Sequence, residues 1–257
     1  MANTPSIRLD QYLVDKGWAP SKSKAQQLIR SGVVTVKNRA GEKTVEKPGF
    51  LVSETSVVTV AASDALTYVS RGGLKLAGAL KELSINVEGI RALDIGLSTG
   101  GFSDCLLQHG ATEVVGVDVG HEQVHARLRP EPRLKIFEGV HVRDMNENAT
   151  LVPHLEKPFD VITVDLSFIS ITQVLPLISQ WLKPSGHLLA LIKPQFELGP
   201  EALNKRGVVK DPAQYEHLKE KIIGLCKSLG LVVENYIESP ILGKAGNREF
   251  FVYAKKI

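Results

Sequence analysis

Two acids and a run of glycines carry the first chemical signal. Asp94-Ile-Gly96-Leu-Ser98-Thr99-Gly100-Gly101-Phe102 follows a short apolar stretch, and Asp118 ends the next one, 24 residues after Asp94. A glycine-rich turn lets a ligand approach the backbone closely, because no Cβ intrudes. An acid at its head repels phosphate and favours a cationic or hydroxyl-bearing ligand. The turn is not G-x-G-x-x-G, which disfavours a pyrophosphate cofactor. A carboxylate ending the second strand lies where a ribose diol would be held. Either feature alone is as well explained by a tight turn. Together they point to S-adenosylmethionine, a cationic nucleoside without phosphates. Asp94 would face its ammonium or an ordered water, and Asp118 its ribose. Asp144, in Arg143-Asp144-Met145, would accept from the adenine amino group, or else serve only as a helix N-terminal acid.

Four further residues outline an acceptor site. Asp165 closes the apolar run before Leu166-Ser167-Phe168, and Lys193 closes the run before Pro194-Gln195-Phe196-Glu197. Pro194 favours an extended Lys193 and ends the strand. A lysine at the end of a buried strand must be paired or functional. Glu249 precedes Phe250-Phe251, and Lys75 follows Ser70-Arg71-Gly72-Gly73-Leu74 in a helix whose Leu76, Leu80 and Leu83 turn inward. Taken singly, each is explained by a structural salt bridge. Taken together, they can converge on one crevice.

The elements that must position these residues read as a doubly wound α/β domain with a mostly parallel, seven-stranded sheet. Expected strands are Ala92–Ile95, Val114–Val117, Leu134–Phe137, Val161–Val164, Leu188–Ile192, Val232–Tyr236 and Phe250–Ala254. Helices are expected over Gly101–Gln108, Ile171–Leu182 and Pro212–Leu229. Ligands of such sheets bind at the carboxyl ends of strands, which is where the informative residues fall.

The first quarter differs in charge. Residues 1–60 hold nine Lys/Arg against five Asp/Glu, while the remainder holds 22 against 23. The whole basic surplus of a chain with net charge +3 therefore sits there. A helix over Arg8–Lys16, a second ending at Arg30 and capped by Ser21 or Ser23, and strands Val33–Val36, Phe50–Val52 and Ser56–Val60 form a small α+β module, with a polar turn over Asn38–Glu42. Arg8, Lys22, Lys24, Arg30 and Lys37 are its candidate contacts to an RNA backbone, which would position the RNA rather than read it. The order Arg8-Leu-Asp-x-x-Leu, Ser21-x-Ser-x-Ala-x-x-Leu-Ile-x-x-Gly32-x-Val and Lys47-Pro-Gly resembles the alpha-L RNA-binding domain of ribosomal proteins, pseudouridine synthases and tyrosyl-tRNA synthetases. The expected layout is this domain over 1–60, a linker over 61–69 and the α/β domain over 70–257.

Lys75, Asp165, Lys193 and Glu249 stand in the Lys-Asp-Lys-Glu order of FtsJ-like ribose 2′-O-methyltransferases. The two-domain layout resembles the TlyA, or hemolysin A-like, family of ribosomal RNA methyltransferases over nearly the full chain. Its most specific pieces are Tyr68 to Leu76, Asp94 to Phe102, Asp165 to Ser170, Lys193 to Glu197, Gly207 to Asp211 and Gly243 to Glu249. The resemblance implies methyl transfer from S-adenosylmethionine to a ribose 2′-hydroxyl, with ribosomal RNA or ribosomal subunits as partner. Lys193 would act as base, or orient the hydroxyl and stabilise the developing alkoxide. Two departures are visible. Leu97 replaces the family's small residue, which would narrow the cofactor pocket, and His141-Val-Arg143 replaces Asn-x-Arg at the adenine contacts.

Other classes fit less well. A non-catalytic RNA-binding regulator would not need all four polar residues. A membrane-active hemolysin lacks both a spanning run of about 20 apolar residues and long alternating strands. A nicotinamide enzyme is disfavoured by the acid-led turn. His121-Glu122-Gln123-Val124-His125 matches the H-E-x-x-H zinc pattern, but no third ligand is evident nearby. With only Cys105 and Cys226 and no charged-then-apolar start, a reduced, cytoplasmic protein without metal or stable membrane association is expected.

Overall fold

The computed structural model describes residues 6–19, 21–30, 32–38, 41–53, 56–60, 67–243 and 246–257. The chain divides into two compact units, Met1–Tyr68 and Val69–Ile257. Most of the expected linker, residues 61–66, lies outside the described residues.

In the first unit, β1 (Ser6–Arg8) leads into α1 (Leu9–Asp15) and α2 (Lys22–Arg30), then β2 (Val34–Asn38), β3 (Gly41–Thr44), β4 (Leu51–Ser53) and β5 (Val57–Val60). Leu9, Leu13, Ala25, Leu28, Ile29, Val34, Val36, Val52 and Val58 close its core. Ser21 caps α2, its hydroxyl accepting from Lys24 N at 3.3 Å. Arg8 is extended rather than helical, because β1 pairs antiparallel with β4 and sets Arg8 opposite Leu51. β3 begins inside the expected turn and pairs with β2. All four of its residues are exposed, so it has no apolar alternation to announce it.

The second unit runs α3 (Arg71–Glu82), β6 (Arg91–Ile95), α4 (Gly101–Gln108), β7 (Glu113–Asp118), β8 (Leu134–Glu138), α5 (Val152–Leu155), β9 (Phe159–Val164), α6 (Ile171–Ile178), β10 (Leu182–Ile192), α7 (Pro194–Glu197), α8 (Ala213–Ser228), β11 (Leu231–Glu238) and β12 (Phe250–Lys256). The sheet order is β11-β12-β10-β9-β6-β7-β8. The pairings from β10 to β8 are parallel, and β12 lies antiparallel between β10 and β11. The seven-stranded α/β expectation holds. β6 is buried along its whole length, as a strand covered on both faces must be. Two boundaries moved by more than two residues. The expected helix 171–182 ends as α6 at Ile178 and passes through a 3-10 turn over Ser179–Trp181; Pro176 lies within α6 and costs it the bond back to Thr172. β10 then starts at Leu182, six residues before the apolar run, with a register irregularity before His187.

Candidate active site

The carboxyl ends of β6, β7, β9 and β10 and the amino end of the antiparallel β12 share one rim of the sheet. Asp165 follows β9, Lys193 follows β10, and Glu249 precedes β12. Ile192 pairs with Phe250, so Lys193 and Glu249 stand one step beyond the same rung. Lys75 enters from α3, and its Nζ donates to Glu249 Oε2 at 2.5 Å. Lys193 Nζ lies 2.6 Å from Asp165 Oδ1 and donates to Ser167 Oγ at 3.0 Å. The four charges thus meet as two pairs. Lys75 and Glu249 are buried, at 8% and 3% exposure. Lys193 and Asp165 are half-buried and reach the mouth.

The glycine turn packs against this rim. Gly96 has φ +91°, and a Cβ there would stand 2.4 Å from the Asp165 carbonyl oxygen. Only glycine lets the turn and the Asp165 backbone touch in this way. At Gly101 a Cβ would meet Ser70 Oγ at 2.1 Å, so α4 starts against the start of α3. A Cβ at Gly100 would meet Leu128. Protein packing thus accounts for these three glycines. The crest of the turn, Ser98 and Thr99, is exposed. Phe102 is buried and its ring stacks 6.0 Å from that of Phe251. Leu97 does not narrow a pocket: it is 2% exposed and lies over Gly116 of β7, whose missing side chain makes room for it.

The carboxylates beside the turn differ from one another. Asp94 is fully buried, and both its oxygens are taken, by Ser103 Oγ at 2.6 Å and Thr163 Oγ1 at 2.9 Å. It braces the turn from below rather than facing an open ligand site. Burial pushes its carboxyl up to about 6; the two hydroxyl donors oppose this, and the nearby Asp165 charge adds to it. Asp118 accepts from Ser98 N at 2.8 Å and Gly120 N at 2.7 Å, and so holds the crest. Asp144 is exposed, in the 3-10 turn Val142–Asp144. That turn is capped by His141, whose ring Nδ1 accepts from Arg143 N at 3.1 Å.

A cleft of about 590 Å³ opens beside the mouth, lined by His141, Arg143, Phe168, Ile169, Ser170, Gln173 and Phe196. Phe168 is 90% exposed at φ +66°, a strained backbone for a bulky side chain, and its ring lies 5.0 Å from that of Phe196. Sequence reasoning named neither Ser167 nor Phe168 as site residues, although both lie inside the motif from Asp165 to Ser170. Ser103 and Thr163 carried no signal, since a hydroxyl inside a helix or strand is ordinary.

The histidine pattern does not form a ligand pair. His121 to His125 is irregular, with Glu122 at φ +55°, so no helix face aligns the imidazoles. Among the described residues, no group of three His, Cys, Asp or Glu side chains could hold a metal. No described helix is long and apolar enough to cross a membrane.

In the first unit, Lys22, Arg30 and Lys37 are exposed. Arg8 is engaged in a bidentate pair with Asp10, at 3.0 and 2.7 Å. The Asp10 carboxylate is fully buried and also accepts from Gln26 at 3.0 Å. Lys24 Nζ donates to the Tyr68 carbonyl at 2.8 Å.

Residues 68–256 match the FtsJ-like methyltransferase family, and residues 7–58 match the S4 domain. The chain is 36% identical to the 16S/23S rRNA (cytidine-2′-O)-methyltransferase TlyA of Mycobacterium tuberculosis, over 96% of this chain and 89% of that one. It is 38% identical to Hemolysin A of Brachyspira hyodysenteriae, over 96% and 99%. A structure provisionally called a hemolysin, from Streptococcus thermophilus, superposes with a TM-score of 0.72 at 33% identity, covering 98% of this chain and 89% of that one. With its methyltransferase domain spanning the whole α/β unit and an S4 domain before it, the chain belongs to the TlyA branch of the FtsJ-like methyltransferase family.

Proposed function

We propose that the protein transfers a methyl group from S-adenosylmethionine to a ribose 2′-hydroxyl of ribosomal RNA. The observation that carries this reading is the Lys193–Asp165 pair at the mouth, with the Asp165 backbone packed on Gly96. It ties an ion pair fit for acceptor chemistry to the turn fit for the cofactor. The relatives from Mycobacterium tuberculosis and Campylobacter jejuni, named as rRNA (cytidine-2′-O)-methyltransferases, support the substrate class.

The residues present suit this cofactor. The exposed crest at Ser98 and Thr99 and the half-buried Asp118 offer backbone and carboxylate groups to a nucleoside, and the Asp118 carboxylate would repel a pyrophosphate. When bound, S-adenosylmethionine supplies an electrophilic methyl on a sulfonium. The chain's own work is on the acceptor side. Lys193, steadied by Asp165 and Ser167, would hold the ribose oxygen and stabilise the negative charge that develops there as its proton passes to solvent water at the mouth. Lys75 and Glu249 fix the rim behind it. Phe168, held in solvent, would stack on the base of the target nucleotide.

Lys22, Arg30 and Lys37 of the S4 unit would contact phosphates, while Arg8 and Lys24 hold their own fold. Such a substrate fits a cytoplasmic protein. The test is incubation with methyl-labelled S-adenosylmethionine and intact small and large ribosomal subunits, followed by mapping of the labelled nucleotide. Label on a ribose of either subunit is the expected result; label on neither overturns the reading.

A further inference from the structure

Glu197 ends α7, one helical turn after Lys193. Its side chain crosses to the neighbouring loop. Oε1 accepts from Ile171 N at 2.8 Å, and Oε2 accepts from Ser170 Oγ at 2.6 Å. Those donors open α6, which the chain enters directly from Asp165, Ser167 and Phe168. The two loops that carry Lys193 and Asp165 are therefore joined twice. At the mouth they meet through the Lys193–Asp165 and Lys193–Ser167 contacts, and behind it through Glu197. The Phe168 and Phe196 rings add a third contact between the same segments.

A carboxylate is costly in this place. Burial pushes the Glu197 carboxyl above the usual range, and the Ile171 and Ser170 donors only partly offset it. Ser170 caps Thr172 N, and Glu197 satisfies Ile171 N, so Glu197 completes the cap of α6 as well as joining the two loops. α7 is a single turn that starts at Pro194, whose ring fixes φ there, so only Gln195 and Phe196 separate that fixed residue from Glu197.

We propose that Glu197 is a positioning residue: it latches the Lys193 loop to the Asp165 loop and so sets Lys193 Nζ where the acceptor hydroxyl must be held. The proposal rests on the methyl-transfer reading for its effect on rate, but not for its effect on the loops.

Glu197→Ala and Glu197→Gln are compared with the parent protein in three measurements. These are single-turnover methylation of ribosomal subunits at saturating S-adenosylmethionine, cofactor affinity by calorimetry, and amide hydrogen exchange. Glu197→Ala should slow turnover by about tenfold or more, since small misplacements of reacting groups are expensive, while the cofactor dissociation constant stays within about twofold. Glu197→Gln, which keeps the size and one acceptor, should recover part of the rate. Exchange should quicken in both 166–171 and 194–198 and stay unchanged in β6 and β9. A simple helix cap would lower the melting temperature and leave turnover alone. Turnover within about twofold of the parent in folded Glu197→Ala overturns the proposal. Quickened exchange confined to residues beside 197 also overturns it. Should Glu197→Ala fail to fold, Glu197→Asp, whose carboxylate stops one methylene short of the Ile171 and Ser170 donors, is judged by the same criteria. A parent protein that methylates neither subunit sinks the functional reading, and the exchange data still judge the latch.

Discussion

Two lysine–carboxylate pairs stand on one rim of the sheet, and they differ in what surrounds them. Lys75 and Glu249 meet at 2.5 Å, with 10% and 4% of their side-chain surface exposed. Lys193 and Asp165 meet at 2.6 Å with 11% and 20% exposed, so the two lysines are equally buried and the difference lies in the carboxylates and in Ser167, which Lys193 also reaches. The same chemical types thus serve two ends. A pair sealed from water is held by mutual need, because either charge alone would be stranded. A pair at the mouth can give up part of its bonding to an incoming hydroxyl. We therefore propose that the outer pair carries the acceptor chemistry and that the inner pair supports the rim.

Lys193→Ala should produce the largest effect. Methylation should fall by roughly 10²–10³-fold or more, the size seen when a donor to a developing oxyanion is removed. Cofactor affinity and melting temperature should stay near those of the parent. Activity within tenfold of the parent would place the reactive group elsewhere. Lys75→Ala should show the opposite signature: a loss of about 3–5 kcal/mol in denaturant unfolding, because Glu249 is left buried and unpaired. The double change Lys75→Met with Glu249→Leu should restore most of that stability. If it does not, or if Lys75→Ala is as stable as the parent, the contrast between the pairs fails.

A third carboxylate on the rim sharpens the contrast, since it has hydroxyls where the others have lysines. The Asp94 carboxyl is raised from 3.8 to about 6. The folded state therefore binds this proton more tightly than the unfolded chain does. Stability linked to Asp94 is complete below about pH 4 and is lost as pH climbs towards about 6. Asp94→Asn removes the titration, and above pH 6 it should be the more stable protein by up to about 3 kcal/mol. Urea midpoints between pH 4 and 7 test this. Parallel curves for parent and variant would show that Asp94 is no more strained than an ordinary acid. The nearby Asp165 charge contributes to the shift, so Asp165→Asn should narrow the pH window.

How far the sequence disclosed this site follows from the range of each interaction. The α/β sheet was legible because its strands are short apolar runs and its acids fall at their ends. α4 was placed at its observed bounds because Gly100 and Gly101 mark its start. Lys75, Asp165, Lys193 and Glu249 were found as a set, but their division into pairs was not, since it depends on the β10–β12 register and the approach of α3. Asp94 carried a signal whose meaning changed: an acid at a strand end reads as a ligand contact until Ser103 and Thr163, nine and 69 residues away, are folded onto it. Leu97 looked like an obstruction because nothing local reveals that Gly116 lies beneath it. β3 was invisible, because a strand with every residue exposed has no pattern to show.

The S4 unit repeats the contrast in its basic residues, with smaller consequences. Arg8 is tied to the buried Asp10, whose carboxyl is held down at about 2, chiefly by the Arg8 hydrogen bonds. Lys22, Arg30 and Lys37 are exposed on α2 and β2. Charge alone treats these four, together with Lys24, as equivalent contacts to RNA, whereas the geometry separates them. Each lost phosphate contact lowers the slope of log affinity against log salt by about 0.7–0.9. Changing Lys22, Arg30 and Lys37 to Gln together should therefore flatten the slope by about 2–3, with unfolding unchanged. Arg8→Gln should act the other way round. It leaves Asp10 buried with only Gln26 as a side-chain partner, so the unit should melt earlier while the salt slope barely moves. Binding to ribosomal RNA fragments across a salt series, alongside thermal melts of both variants, measures the two quantities separately. A steep slope retained by the triple variant would show that those three residues do not face the RNA. A slope lost with Arg8 alone would return Arg8 to the interface and make its pairing with Asp10 incidental.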